Sequence, residues 1–147
     1  MGNDGEGAWW WRKVKFRINR LLNSNLGTAM VSDQTVLKNE KVKQYSFLSE
    51  MYKDTYFPDK CVDKGKEILI DLCFQIEQSH PKSLDELYML THTATDKFND
   101  LQDDFYENES EIETAARECI AEDFEFIAHS YGFEDADAEE LIATRDW

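Results

Sequence analysis

With 147 residues, 41% of them hydrophobic and 13% aromatic, the chain has the size and apolar content of one domain with its own core. Its formal net charge of −15 repels phosphate backbones. That argues against direct nucleic-acid binding and for fast encounter with a basic protein partner.

Residues 1–39 read as a basic, Trp-rich tail outside the core, and residues 40–147 as an acidic helical domain. The charge is split: residues 1–60 hold 10 Lys and Arg against 7 Asp and Glu, residues 61–147 hold 6 against 24. In the tail Trp11, Val14, Ile18 and Leu22 share a helical spacing, with Lys13, Arg17 and Arg20 on another side. Such a segment can lie on an anionic membrane, fold against the protein's own acidic body, or be an extension ahead of a start at Met30. Membrane attachment is the least favoured of these. Asp4 and Glu6 precede the aromatics with no apolar stretch after them, so the start does not read as a signal peptide.

A first core helix is expected from Asn39 to Lys53, with Val42, Tyr45, Leu48 and Tyr52 as its stripe. Thr55-Tyr56-Phe57-Pro58 ends it, because proline disfavours the helical conformation in the residue before it. Asp59 caps a second helix, lined by Val62, Leu69, Leu72, Cys73 and Ile76 and stopped at His80-Pro81. Ser83 and Glu86 form a capping box for a third helix, whose stripe runs from Leu84 through Phe98 to Phe105. Asn108 ends it in a left-handed conformation. A second capping box, Ser110 and Glu113, opens the organising helix, which Gly132 terminates. So short a connection predicts an antiparallel hairpin of these two helices. Asp135 or Asp137 caps a last short helix through Leu141 and Ile142. With no alternating stretch, the fold class is all-α: four main helices plus a short C-terminal one, and a flexible or appended N-terminal tail.

Arg117 is the one Lys or Arg between Lys97 and Arg145. It is expected to form a structural ion pair, its guanidinium forking between Glu113 and the facing Asp100 or Asp103. Asp104, Glu107, Glu111, Glu118, Glu122 and Glu125 then make the acidic face that meets a partner. The alternative is a small enzyme or metal-binding bundle using the same carboxylates. Carboxylate-bridged metal bundles need inward Glu-x-x-His pairs, and Glu77–His80, at a helix end before Pro81, is the one match. Cys61, Cys73 and Cys119 lack metal-ligand spacing and read as buried free thiols of a reducing compartment, the cytoplasm. No catalytic, metal or cofactor residue is assigned.

A resemblance rests on Tyr52 to Pro58, Val62 to Lys66, Leu90 to Thr95, Phe98-Asn99, Ser110 to Glu118, Ala121 to Ile127 and Arg145-Asp146-Trp147. From about residue 40 to 147 these runs resemble a bacterial family of short proteins catalogued as a domain of unknown function. The resemblance implies a compact, cytoplasmic, helical protein and brings no activity, cofactor or partner.

Overall fold

A computed structural model of the chain describes residues 33–147. Of the tail expected outside the core over residues 1–39, residues 1–32 lie outside the described residues. Residues 33–39 instead pack on the body, with Leu37 1% exposed in the core and the Lys38 and Asn39 N–H groups on Glu77. A 3-10 turn, Gln34–Val36, leads into α1 (Glu40–Lys43), α2 (Ser49–Lys53), α3 (Asp59–Ser79), α4 (Leu84–Glu107), α5 (Thr114–Ser130) and α6 (Ala138–Leu141). The described residues are all-α, with three long helices and three short ones.

The expected first helix is present as two pieces. Asn39 caps α1 through its side chain, which accepts the Lys41 and Val42 N–H groups. The chain then leaves the helix, and Leu48 takes a left-handed conformation at φ 56° before α2 begins. Val42, Phe47, Leu48 and Met51 are all buried. The apolar spacing is that of a continuous helix, but both ends of the break are fixed from elsewhere in the fold.

Pro58, not Asp59, caps α3, and Asp59 is its first helical residue. The fixed proline φ of −61° suits that position without a side-chain cap. His80 ends α3 in a left-handed conformation at φ 49°, with its N–H on the Ile76 carbonyl at 2.9 Å. Pro81 follows and cannot continue the helix. The Ser83 cap forms, its side chain accepting the Glu86 N–H at 3.2 Å, but Glu86 reaches back to the Lys82 N–H, one residue before the cap, at 2.5 Å.

The end of α4 closes one residue later than expected. Glu109, not Asn108, is left-handed (φ 59°), and the Ser110 N–H bonds the Phe105 carbonyl at 2.8 Å, a Schellman turn. Ser110 is thereby drawn into the core, 1% exposed, and does not cap α5. The organising helix starts at Thr114, with Glu113 in extended conformation ahead of it. Its other end follows the sequence reading: Gly132 is left-handed (φ 93°), and the Phe133 N–H meets the Ala128 carbonyl at 2.9 Å.

The tightest helix pair is α3 with α4, and α5 runs against α1, α2, α3 and α6. The expected hairpin of α4 with α5 is not a close backbone pair. The two meet through large side chains, Phe98 and Phe124, whose ring centroids lie 6.0 Å apart. Gly65 explains the closeness of α3. A Cβ there would stand 3.0 Å from Leu48 Cδ1 and 3.1 Å from Phe98 Cε1, so its absence lets α2 and α4 approach. Phe47, Phe98, Phe105 and Phe124 are each at most 1% exposed and fill the centre. Burying each contributes about 1.5–3 kcal/mol. Asp137 caps α6 by accepting the Glu139 N–H at 3.2 Å, and Leu141 and Ile142 close that end of the core.

Candidate functional site

The carboxylates expected to meet a partner divide into two sets. Glu118 and Glu122 are exposed along α5, Glu125 is half-buried beside them, and Glu111 is exposed ahead of the helix. Glu107 is exposed at the end of α4. Asp104 is a correction: it is 5% exposed and pairs with Lys64 of α3. Its place between Leu101 and Phe105 puts it on the face of α4 that α3 covers, so it holds the two helices together.

The Arg117 expectation is also corrected. Among the described residues Arg117 forms no ion pair with Glu113, Asp100 or Asp103. Its Nε instead donates to the main-chain oxygen of Trp147 at 3.2 Å. Two features of the fold account for this. Glu113 precedes the helix in extended conformation, so the four-residue spacing does not align its side chain with Arg117. The backbones of α4 and α5 are also not closely paired, and Asp103 is 5% exposed.

A buried carboxylate that the sequence reading passed over is central. Asp123 on α5 is 3% exposed and accepts the Tyr45 hydroxyl at 2.7 Å and the Leu48 N–H at 2.6 Å. Tyr45 is held further by stacking on Phe126, with centroids 3.9 Å apart. Burial pushes the Asp123 carboxyl up to about 6, against the lowering effect of these two donors. The signal was present in the spacing. Asp123 lies four residues from Cys119 and from Ile127 and three from Ile120, in the apolar phase.

A second network ties the chain entry to two helix ends. Glu77 of α3 accepts the Lys38 N–H at 2.9 Å, the Asn39 N–H at 3.2 Å and the Tyr131 hydroxyl at 2.5 Å. Asn39 Nδ2 donates to the Ser130 carbonyl at 2.7 Å, at the end of α5. Burial works to raise the Glu77 carboxyl, but the Tyr131, Lys38 and Asn39 donors outweigh it and hold it below the ordinary value. Beside this network lies an open groove of about 550 Å³ that includes Lys38, Glu77, His80, Lys82 and Phe133. A second open groove, of about 470 Å³, borders Tyr45 and Phe47.

The Glu77–His80 spacing does not build a metal centre, since Glu77 is occupied by three donors and His80 is an exposed left-handed cap. Among the described residues no three His, Cys, Asp or Glu side chains are grouped to hold a metal ion. His92 packs against α6, its Nε2 2.7 Å from the Glu140 carbonyl. The three thiols are free and buried, and burial pushes Cys119 up to about 11 and Cys73 higher still. No helix among the described residues is long and apolar enough to cross a membrane.

Comparison with curated proteins and with solved structures returns no match. A family model, by contrast, matches residues 41–147. That span begins in α1 and takes in the Asp123 anchor, the Gly65 crossing and both helix-end turns. The chain belongs to DUF5713, a family of unknown function.

Proposed function

We propose that the protein is a cytoplasmic interaction module, of the inhibitor or immunity type, that engages a basic protein surface. The observation that carries this reading is the row Glu111, Glu118, Glu122 and Glu125. Among the described residues every Lys and Arg ion pair uses another acid, and of this row Glu111, Glu118 and Glu122 are exposed and Glu125 half-buried. Like charges in series on one helix cost stability, and a basic partner relieves that cost on binding. Glu118, Glu122 and Glu125 are borne on α5, the helix that touches four other elements, so their spacing is rigid.

The test compares wild type with Glu118→Gln/Glu122→Gln/Glu125→Gln in capture from host-cell lysate at low and high salt. Wild type should retain a basic protein at low salt and release it at high salt, and the triple variant should retain much less. Its stability should be unchanged or slightly higher. Equal retention of the same protein by both forms would sink the proposal.

A further inference from the structure

The Glu77–His80 motif, excluded as a metal centre, borders a groove whose charge is unusual for so acidic a chain. Two left-handed turns converge on it: His80 after α3, and Gly132 after α5. The first carries Pro81 and Lys82 to the groove, and the second carries Phe133. The third wall, Lys38 and Asn39, is pinned to α3 because Glu77 accepts both of their main-chain N–H groups.

Glu77 is the one carboxylate among the groove-lining residues, and its oxygens already face three donors. The cationic groups at the groove are the ammonium groups of Lys82 and of Lys38, whose charge also helps hold the Glu77 carboxyl low. Neither enters an ion pair among the described residues. The nearby Glu86 reaches the Lys82 main-chain N–H, not its ammonium. The helix C-termini here would disfavour an anion, but their carbonyls are partly committed: Ile76 to the His80 N–H, Ser130 to Asn39 Nδ2. The distant carboxylates of α5 are screened over about 8 Å at physiological salt. Ile76, Pro81 and Phe133 supply apolar surface in the same groove.

We propose that this groove binds a small organic anion, a carboxylate with an apolar or aromatic body. Lys38 and Lys82 hold the carboxylate, and Ile76, Pro81 and Phe133 cover the body. This is the usual composition of a small-molecule site, apolar walls with a few placed charges. The site does not involve the carboxylate row of α5, so it stands or falls separately from the partner-binding proposal.

The test follows backbone amide resonances of the full chain during titration with benzoate, with its neutral counterpart benzamide, and with the cation benzylamine. Benzoate should shift the Lys82 and Phe133 amides and saturate with a Kd of about 1 mM. Benzamide should bind at least about tenfold more weakly, because it lacks the charge-assisted bonds. Lys38→Gln/Lys82→Gln should lose benzoate binding by a similar factor with an unchanged melting temperature, since both side chains are exposed. Benzylamine binding as well as benzoate would overturn the proposal and make the groove a cation site around Glu77. Unchanged benzoate affinity in the double variant, or no saturable shift in wild type, would also overturn it.

Discussion

The Asp123 carboxylate on α5 accepts the main-chain N–H of Leu48 at 2.6 Å, at the residue where the chain turns left-handed between α1 and α2. One buried carboxylate therefore fixes the residue at which α2 begins, 75 residues away in sequence. Its oxygens also take the Tyr45 hydroxyl, so the 45–48 segment is held at both ends by one side chain.

That anchor carries a pH signature. Its folded value, about 6, is above the ordinary 3.8, so the folded state binds this proton more tightly than the unfolded chain does. The contribution of Asp123 to stability is therefore greatest below about pH 4, falls as pH rises to about 6, and is level above that. The shift corresponds to about 3 kcal/mol. Asp123→Asn keeps the shape without the titration. In urea unfolding at several pH values, the stability of wild type relative to the variant should fall by about that amount between pH 4 and 7. A flat difference would show that Asp123 is better solvated than its burial indicates.

Glu77 has the opposite sign. Its folded value is lowered, so its contribution is present above the ordinary value of 4.5 and is lost as pH falls through that region. Glu77→Gln removes the charge that three donors share and should cost about 1–2 kcal/mol at neutral pH. The gap between wild type and variant should close on acidification. A gap that persists in acid would assign the loss to packing of the side chain.

Gly65→Ala poses packing against propensity. In an exposed helix interior the change gains about 1 kcal/mol. Here the new methyl meets Leu48 at 3.0 Å and Phe98 at 3.1 Å. Neither can yield easily: Leu48 is tethered through its N–H to Asp123, and Phe98 is 1% exposed. Overpacking costs about 1–3 kcal/mol. A net loss of about 1 kcal/mol in chemical denaturation is expected, and a gain would mean that the α2–α3–α4 crossing relaxes freely.

Trp147 docks on the core, its ring 6.2 Å from that of Phe98 in an edge-on arrangement. Trp147→Ala should cost about 1.5–3 kcal/mol. Its buried indole Nε1 has no hydrogen-bond partner among the described residues, so Trp147→Phe should be nearly neutral. Arg117 touches this residue through one hydrogen bond and is half-exposed. Arg117→Met should therefore cost about 1 kcal/mol or less, far below the loss of a buried ion pair. Thermal melts of the three variants would order them as Ala, then Met, then Phe; a melting temperature unchanged by Trp147→Ala would refute the docking.

Local chemistry by itself determined the all-α class, the extents of α3 and α4 to within a residue or two, and the stop at Gly132. Each depends on interactions within a few residues: apolar spacing, a proline, a Ser-x-x-Glu cap, a residue without a Cβ. Tertiary structure alone decided the split of the first helix, the delayed start of α5, and which helices pair. The donor for Asp123 and the space above Gly65 come from residues distant in sequence, and periodicity does not encode them. The candidate sites divide in the same way. Glu118 and Glu122 were legible as a solvent row because charge and helical phase agree. Asp104, Asp123 and Arg117 were not, because a charged residue in or near the apolar phase finds its partner only after the helices have packed: Lys64, the Leu48 N–H and the Trp147 oxygen.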